Sequence, residues 1–412
     1  MIKPLILSTS DLDGGAARAA YRLHRGFREI EVSSQMLVRA KDSADNTVIG
    51  YKPPIASFGS KLDILPLNLY RKRERTLFSP QWFPDAIAPK VREMAPDIIN
   101  LHWACNGYLR IETLPKLKRA IVWTLHDMWA FTGGCHYNQE CDRFQASCGA
   151  CPQLNSGVDW DLSRWIWQRK ASAWRDLNLT LVTPSRWLAQ FVRDSALFRD
   201  RRVEAIPNGI DPQTYKPVEA KMARDLLGLP QDKNIVLFGA MGATSDRRKG
   251  FHLLQPALQY LSQLGWRDRV ELAIFGACEP DNPPDLGFVP RYLGKFNDDV
   301  SLALVYSAAD VFVVPSVQDN LSNTVMEAIA CGTPCVTFDI GGMGEMIEHQ
   351  TNGYLAKPYE IEDFARGIEW VIEDVERYGR LSDRARAKVE AEFTCDLQAR
   401  RYFSLFNEIL EV

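Results

Sequence analysis

At 412 residues the chain is too long for one ordinary core and suits two domains of roughly 200 residues each. A hydrophobic fraction of 46% with 25% charged residues is that of a soluble globular protein, and no run approaches the roughly 18 apolar residues a membrane span needs. Net charge is −3, yet the first 205 residues carry 29 Lys+Arg against 21 Asp+Glu and the remainder 20 against 31. That split reads either as segregated solvated charge or as a basic half that approaches something anionic, a membrane face or a phosphate-bearing acceptor.

From the N-terminus, Pro4–Ser8 reads as a short strand that runs into polar Thr9-Ser10-Asp11. A secretory signal needs a longer apolar stretch, so a cytoplasmic protein is expected. Further strands are expected at Ser34–Arg39, Ile98–Trp103, Ile121–His126, Leu179–Pro184 and Val203–Pro207. The second half repeats the pattern at Ile235–Gly239, Val270–Phe275, Tyr292–Gly294, Val311–Pro315, Pro334–Phe338 and Gly353–Ala356. Helical periodicity lies between them, at Leu253–Leu264, Val300–Ala309, Asn323–Cys331 and Ile361–Glu373. Alternating strands and helices imply βαβ units on a parallel sheet, and runs such as Val311-Phe312-Val313-Val314 are apolar on both faces, as a covered sheet requires. The turn-rich Pro207-Asn208-Gly209-Ile210-Asp211-Pro212 marks a boundary. The expected organisation is a Rossmann-like domain over 1–212, a second over 213–395, and a final helix over 396–412 that returns to the first.

Four places stand out for their chemistry. Gly14-Gly15 ends the first strand and opens a helix, where glycine lets the backbone approach a ligand and unpaired N–H groups face an anion, or where a tight turn simply needs it. The run Ser316-Val317-Gln318-Asp319-Asn320-Leu321-Ser322-Asn323-Thr324-Val325-Met326-Glu327 lies beyond a strand's carboxyl end, where doubly wound sheets bind ligands. Ser322 or Asn320 is placed to cap that helix, Gly332 and Pro334 end it, and a glutamate there is placed to accept a ribose diol. Cys135, Cys141, Cys148 and Cys151 fall within 17 residues, a set that suits structural zinc, with His136 as a substitute ligand, free thiols or disulfides being the other readings. Arg71-Lys72-Arg73-Glu74-Arg75-Thr76-Leu77-Phe78 with Trp82-Phe83 mixes bases and aromatics, as an anionic membrane surface or a charged helix face with a packed aromatic end would require. No recognisable nucleic-acid module accompanies the basic half.

Asp319-x7-Glu327, followed by Ala328-Ile329-Ala330-Cys331-Gly332-Thr333-Pro334 and Gly341-Gly342, resembles the acidic motif of glycosyltransferase family 4. Gly14-Gly15, Thr124-Leu125-His126-Asp127, Val182-Thr183-Pro184-Ser185, Pro207-Asn208-Gly209-Ile210-Asp211 and Arg248-Lys249-Gly250 extend the likeness over nearly the whole chain. The resemblance implies a GT-B fold, with two Rossmann-like domains facing across a cleft, and a retaining transferase that uses a nucleotide-diphosphate sugar. It assigns Asp319 to the transferred sugar, Glu327 to the ribose, and Lys249 to the diphosphate, with backbone amides near Asn320 and Leu321 and the turn Gly14-Gly15 assisting donor binding. His126 would act on the sugar at the reacting centre, with His102 the weaker candidate, and no catalytic metal is implied. Two positions depart from the family pattern. Asp319 stands where glutamate is usual, and Thr244 stands where an arginine is usual, so Arg248, or Arg247, takes that charge. The implied acceptor is a saccharide or a lipid-linked saccharide, in cell-surface polysaccharide or glycolipid assembly at the inner membrane face. A weakened sugar-nucleotide-binding or assembly subunit, or a GT-B epimerase or phosphorylase, are the alternatives.

Overall fold

The computed structural model describes residues 2–54, 56–239 and 246–411. They form two compact units, Met1–Gly209 with Cys395–Val412, and Ile210–Thr394. Thr244, the position where the resemblance places an arginine, lies outside the described residues.

The first unit holds a seven-stranded parallel sheet of β1 (Pro4–Ser10), β2 (Gln35–Ala40), β3 (Val48–Gly50), β4 (Ile98–Leu101), β5 (Ala120–Thr124), β6 (Leu179–Thr183) and β7 (Val203–Ala205), in the order β3-β2-β1-β4-β5-β6-β7. The second holds six parallel strands, β8 (Asn234–Gly239), β9 (Val270–Phe275), β10 (Pro290–Gly294), β11 (Val311–Val314), β12 (Cys335–Phe338) and β13 (Gly353–Ala356), in the order β10-β9-β8-β11-β12-β13. Both sheets are covered on both faces, which explains strands that are apolar throughout. In β1, Leu5 and Leu7 join one core cluster while Ile6 joins the other. In β11, Phe312 and Val314 face one layer, and Val311 and Val313 the opposite one. The strand order reverses between β1 and β4 in one unit and between β8 and β11 in the other. Loops part at such a point and leave a crevice at the carboxyl ends.

Several elements were not named from the sequence, among them the helices Ile87–Met94, Leu162–Trp174, Arg186–Asp194 and Ala220–Leu227, and two show why. β3 is three residues long at a sheet edge, too short to show a period. The helix Val375–Glu392 buries only Leu381, Ala385 and Val389, so its stripe is one residue wide and most of its surface is charged. The last helix, Cys395–Leu410, lies on the helix Gly15–Glu29. A Cβ at Gly26 would come within 2.8 Å of the Cys395 carbonyl. Phe27 packs between Tyr402 and Phe406, at ring separations of 6.3 and 5.5 Å.

His24 on that first helix is fully buried, its Nδ1 2.9 Å from Ser34 Oγ and its Nε2 2.8 Å from Thr47 Oγ1. Burial lowers its pKa to about 4, against the partial opposition of Asp45. The unfolded imidazole, at about 6.5, binds its proton first, so the stabilising contribution is complete above pH 6.5 and is lost as pH falls toward 4. By pH 5 the loss reaches about 2 kcal/mol. A urea midpoint that falls between pH 7 and pH 5, with a shallower fall in His24→Gln, is the expected result. Equal slopes would contradict it.

Candidate active site

In the second unit the expected donor residues fall on the two strands that flank the order reversal. Arg248 and Lys249 follow β8, and Asp319 follows β11. Val317 N donates to Arg248 O at 2.8 Å, which ties the two loops together. Gly250 makes this approach feasible. It has φ +74°, and a Cβ there would sit 1.7 Å from Pro315 O. Gly341 plays the same part on the other side, with φ +58° and a Cβ position 1.9 Å from Asp319 O.

Asp319 is buried, and both carboxylate oxygens are engaged. Oδ2 is 3.0 Å from Lys249 Nζ and 3.8 Å from Arg248 Nη1, while Oδ1 accepts from Asn320 N at 3.0 Å. Burial alone would raise its pKa, but the Lys249 and Arg248 charges outweigh that and hold it below the usual carboxylate range. Arg248 is oriented by Asp246 Oδ2 at 3.0 Å and donates to Gln318 O at 3.0 Å. Lys249, Arg248 and Asp319 therefore form one charged group, with Lys249 its most exposed member.

The side chains of Leu321 and Glu327 have neighbours of their own. Leu321 turns into the core. Glu327 is buried on the helix Asn323–Ala330, and its Oε2 accepts from Tyr306 OH at 3.0 Å. Beside Glu327, burial and that carboxylate push the Tyr306 phenol well above its ordinary range. Ser322 stands at the N-cap position but makes no side-chain cap bond; its hydroxyl meets Thr324 Oγ1 at 2.9 Å instead. Gly332, at φ +75°, ends the helix as expected.

In the first unit Gly14 precedes the helix Gly15–Glu29 with φ +91°, and among the described residues nothing lies within 4 Å of where its Cβ would be. Glycine is needed there for the backbone angle rather than for space. Asp11 accepts from Asp42 N and Ser43 N, both at 3.0 Å, and binds the turn after β1 to the one after β2.

His126 and His102 come together just beyond β5 and β4. Their Nε2 and Nδ1 atoms are 2.9 Å apart, and the rings stack at 5.2 Å. Burial lowers the His126 pKa to about 4 and takes that of His102 well below the histidine range. Both imidazoles are neutral near pH 7. The neighbouring Asp127 takes Nδ1 of His136 at 2.7 Å, Nε1 of Trp103 at 3.0 Å and the amide of Trp129 at 2.9 Å. The other His136 nitrogen lies 2.9 Å from Ser79 Oγ, so both ring nitrogens of His136 have side-chain partners in this structure. Lys170, fully buried, holds the loop after His126 by donating to the Trp129 and Thr132 carbonyls. Burial lowers its pKa to about 7. Tyr306, Asn100, Asp246 and Lys170 were not singled out by sequence. Only Asn100 carried a signal, as the one polar residue in the fully buried Ile98–Leu101.

Cys135, Cys141, Cys148 and Cys151 are free thiols. Burial first, then proximity to one another, raises Cys148 to about 12, while for Cys151 burial and backbone geometry leave it at about 11. Among the described residues no group of three or more His, Cys, Asp or Glu side chains is arranged to hold a metal ion. In the basic segment, Phe78 is buried and pairs with Cys135 across an isolated bridge. Trp82 is half-buried and donates to Asp63 O at 2.9 Å. Exposed apolar groups in and before this segment are Phe58, Ile64, Leu65, Leu69 and Leu77, with Leu69 the most open at 84%. Among the described residues no helix is long and apolar enough to cross a membrane.

A family model described as Glycosyltransferase Family 4 matches residues 13–214, and one described as Glycosyl transferases group 1 matches residues 232–374. The chain belongs to the glycosyltransferases of this family 4 and group 1 type. Among this transferase's relatives is WcaC of Escherichia coli strain K12, named for colanic acid biosynthesis, 24% identical over 82% of this chain and 83% of its own length. D-inositol 3-phosphate glycosyltransferase 2 of Catenulispora acidiphila is 28% identical over 50% of this chain, a match that spans 54% of that relative. Sucrose-phosphate synthase from Thermosynechococcus elongatus superposes with a TM-score of 0.72 at 18% identity, covering 100% of both chains. HepE of Anabaena, solved with UDP-glucose, gives 0.66 at 18% identity over 99% of this chain and 100% of its own. The transferase's two parallel sheets with flanking helices are the GT-B fold of these neighbours.

Proposed function

We propose that the transferase moves a sugar, with retention of configuration, from a nucleotide-diphosphate sugar to a saccharide or lipid-linked saccharide acceptor. The observation that carries this reading is the Lys249–Asp319 pair at the order reversal of the second sheet, with Arg248 beside it. As the glycosidic bond breaks, its electron pair passes to the leaving diphosphate, and two fixed cations stabilise that charge. A leaving phosphate oxygen takes the proton of the acceptor hydroxyl as the new glycosidic bond forms. In this reading Asp319 meets the sugar, and Glu327, held rigid by Tyr306, receives the ribose diol. The Asn320 and Leu321 amides support the donor, as does the Gly14-Gly15 turn, and His126 serves at the reacting centre. HepE was solved with UDP-glucose, which makes UDP-sugars the first donors to try. A thermal-shift comparison of UDP, GDP and ADP with their sugars identifies the base, since a ligand that binds the native state raises Tm. Nucleoside diphosphate release that depends on an added saccharide, with product of the donor's anomeric configuration by NMR, is the expected outcome. Donor binding without release would make the protein a binding subunit.

The exposed Phe58, Leu69 and Leu77 beside Lys61, Arg71, Lys72 and Arg75 suit peripheral contact with an anionic bilayer. Sedimentation with vesicles of anionic lipid, reduced in a Leu69→Asp variant and absent with neutral lipid, is expected. Failure to sediment at low salt would remove the membrane from the proposal.

The proposal extends to structural zinc on the four clustered cysteines, whose thiols would have to draw together from the arrangement described above, and four thiolates would leave no open position for substrate. Metal analysis of protein purified without chelator should find about one zinc per chain, lost in Cys148→Ser or Cys151→Ser. Metal-free protein with four titratable thiols in this loop would end that part alone.

A further inference from the structure

The two histidines beyond β4 and β5 are joined to the sheet by a chain of hydrogen bonds whose directions can be worked out from one end. That end is the Val122 carbonyl, which can only accept. Asn100 Nδ2 lies 3.0 Å from it and 3.0 Å from Thr124 Oγ1. The atom facing Val122 must be the amide nitrogen, because an amide oxygen there would oppose another oxygen. Asn100 Oδ1 therefore points the other way, to His102 Nε2 at 3.0 Å. Oδ1 is an acceptor, so His102 carries its hydrogen on Nε2. Turning either ring over would put carbon where these bonds are made.

His102 is almost completely buried, and burial keeps it neutral. A neutral imidazole has one N–H, and here Nε2 holds it, so Nδ1 is a lone pair. His126 Nε2, 2.9 Å away, must donate to it. His126, neutral as well, is left with its lone pair on Nδ1. The far end of the chain is also anchored: Thr124 Oγ1 lies 2.8 Å from Tyr402 OH on the last helix.

We infer that Asn100 and His102 are positioning residues that hold His126 as its Nε2–H tautomer, so that it meets the reacting sugar as a hydrogen-bond acceptor through Nδ1. This rests on the reading that places His126 at the reacting centre. A group that meets Nδ1 must then bring its own hydrogen, as a sugar hydroxyl does and a carbonyl or phosphate oxygen does not. The geometry thus assigns a direction to the contact: hydroxyl to imidazole.

Long-range ¹H–¹⁵N correlation spectra of the intact protein, ¹⁵N-labelled at histidine, read the tautomer directly. Expected are a protonated Nε2 and an unprotonated Nδ1 for both His102 and His126. A protonated Nδ1, a doubly protonated ring or a tautomer average at either residue near pH 7 would overturn the inference, whatever the kinetics. Kinetics then test the positioning role. His102→Leu removes the acceptor and should lower kcat roughly 10- to 100-fold, the scale of removing a partner that orients a functional imidazole. Donor Kd should stay within about threefold. His102→Asn places an amide oxygen near the position of Nδ1 and should restore most of the lost kcat. In a His126→Ala background, His102→Leu should cost nothing further, since a residue that acts only through another has no effect without it. An undiminished penalty in that background, or no rescue by asparagine, would reassign His102 to the core. If His126→Ala itself leaves kcat unchanged, the catalytic reading fails while the tautomer assignment still stands or falls on the spectra.

Discussion

His126→Ala is expected to lower kcat by roughly 10²-fold or more while donor Kd changes little, the pattern of an interaction made mainly in the transition state. The scale follows from what the side chain supplies at a partly enclosed centre: an oriented acceptor whose partner chain of His102, Asn100 and Val122 is already in place. The substitution also leaves His102 Nδ1 without its donor, so a loss of about 1–3 kcal/mol in stability accompanies it. The two effects separate cleanly, because stability is read from the urea midpoint and catalysis from kcat on the folded fraction. A variant with lowered Tm but an unchanged turnover number would move His126 into the structural frame of the first unit.

Lys249→Ala and Glu327→Gln are each expected to weaken donor binding by about 10- to 150-fold, the loss of one charge-assisted contact worth roughly 1.5–3 kcal/mol. They should differ in what else they disturb. Lys249 is partly exposed, and its removal leaves Asp319 with Arg248 at 3.8 Å and the Asn320 amide. Its carboxyl pKa should then rise, because burial is no longer fully opposed. Glu327→Gln keeps an oxygen that can accept from Tyr306 OH, so the buried contact at 3.0 Å survives and the fold should be nearly unaffected. Isothermal titration with the donor found by thermal shift checks both. Affinity within twofold of the parent protein in either variant would place the donor elsewhere on the second unit.

Most strands were legible because each is a short apolar run closed by turn residues, and a covered parallel sheet demands that pattern. Val270–Phe275 and Gly353–Ala356 agree to the residue. The edge strand Val48–Gly50 and the polar helix Val375–Glu392 were not, since one lacks length and the other lacks a wide apolar stripe. The candidate residues were readable as types at strand ends: Gly14-Gly15 at a strand-to-helix turn, Asp319 and Glu327 around a helix start, and basic residues after β8. The sequence alone also determined the alternation of strand and helix and the partition into two α/β units, because these are local properties of composition and period. Which of these residues meet was decided only by the tertiary structure. Strand adjacency at the order reversal brings Lys249 to Asp319 across 70 residues. It turns Leu321 away into the core and gives Glu327 to Tyr306. It also fixes, in our inference, which nitrogen of His126 holds the hydrogen, because that choice descends from the Val122 carbonyl through Asn100 on the neighbouring strand and His102 just beyond its end. Local patterning encodes which face of an element is buried; hydrogen-bond direction inside a sheet depends on which strands lie side by side, and no single segment contains that information.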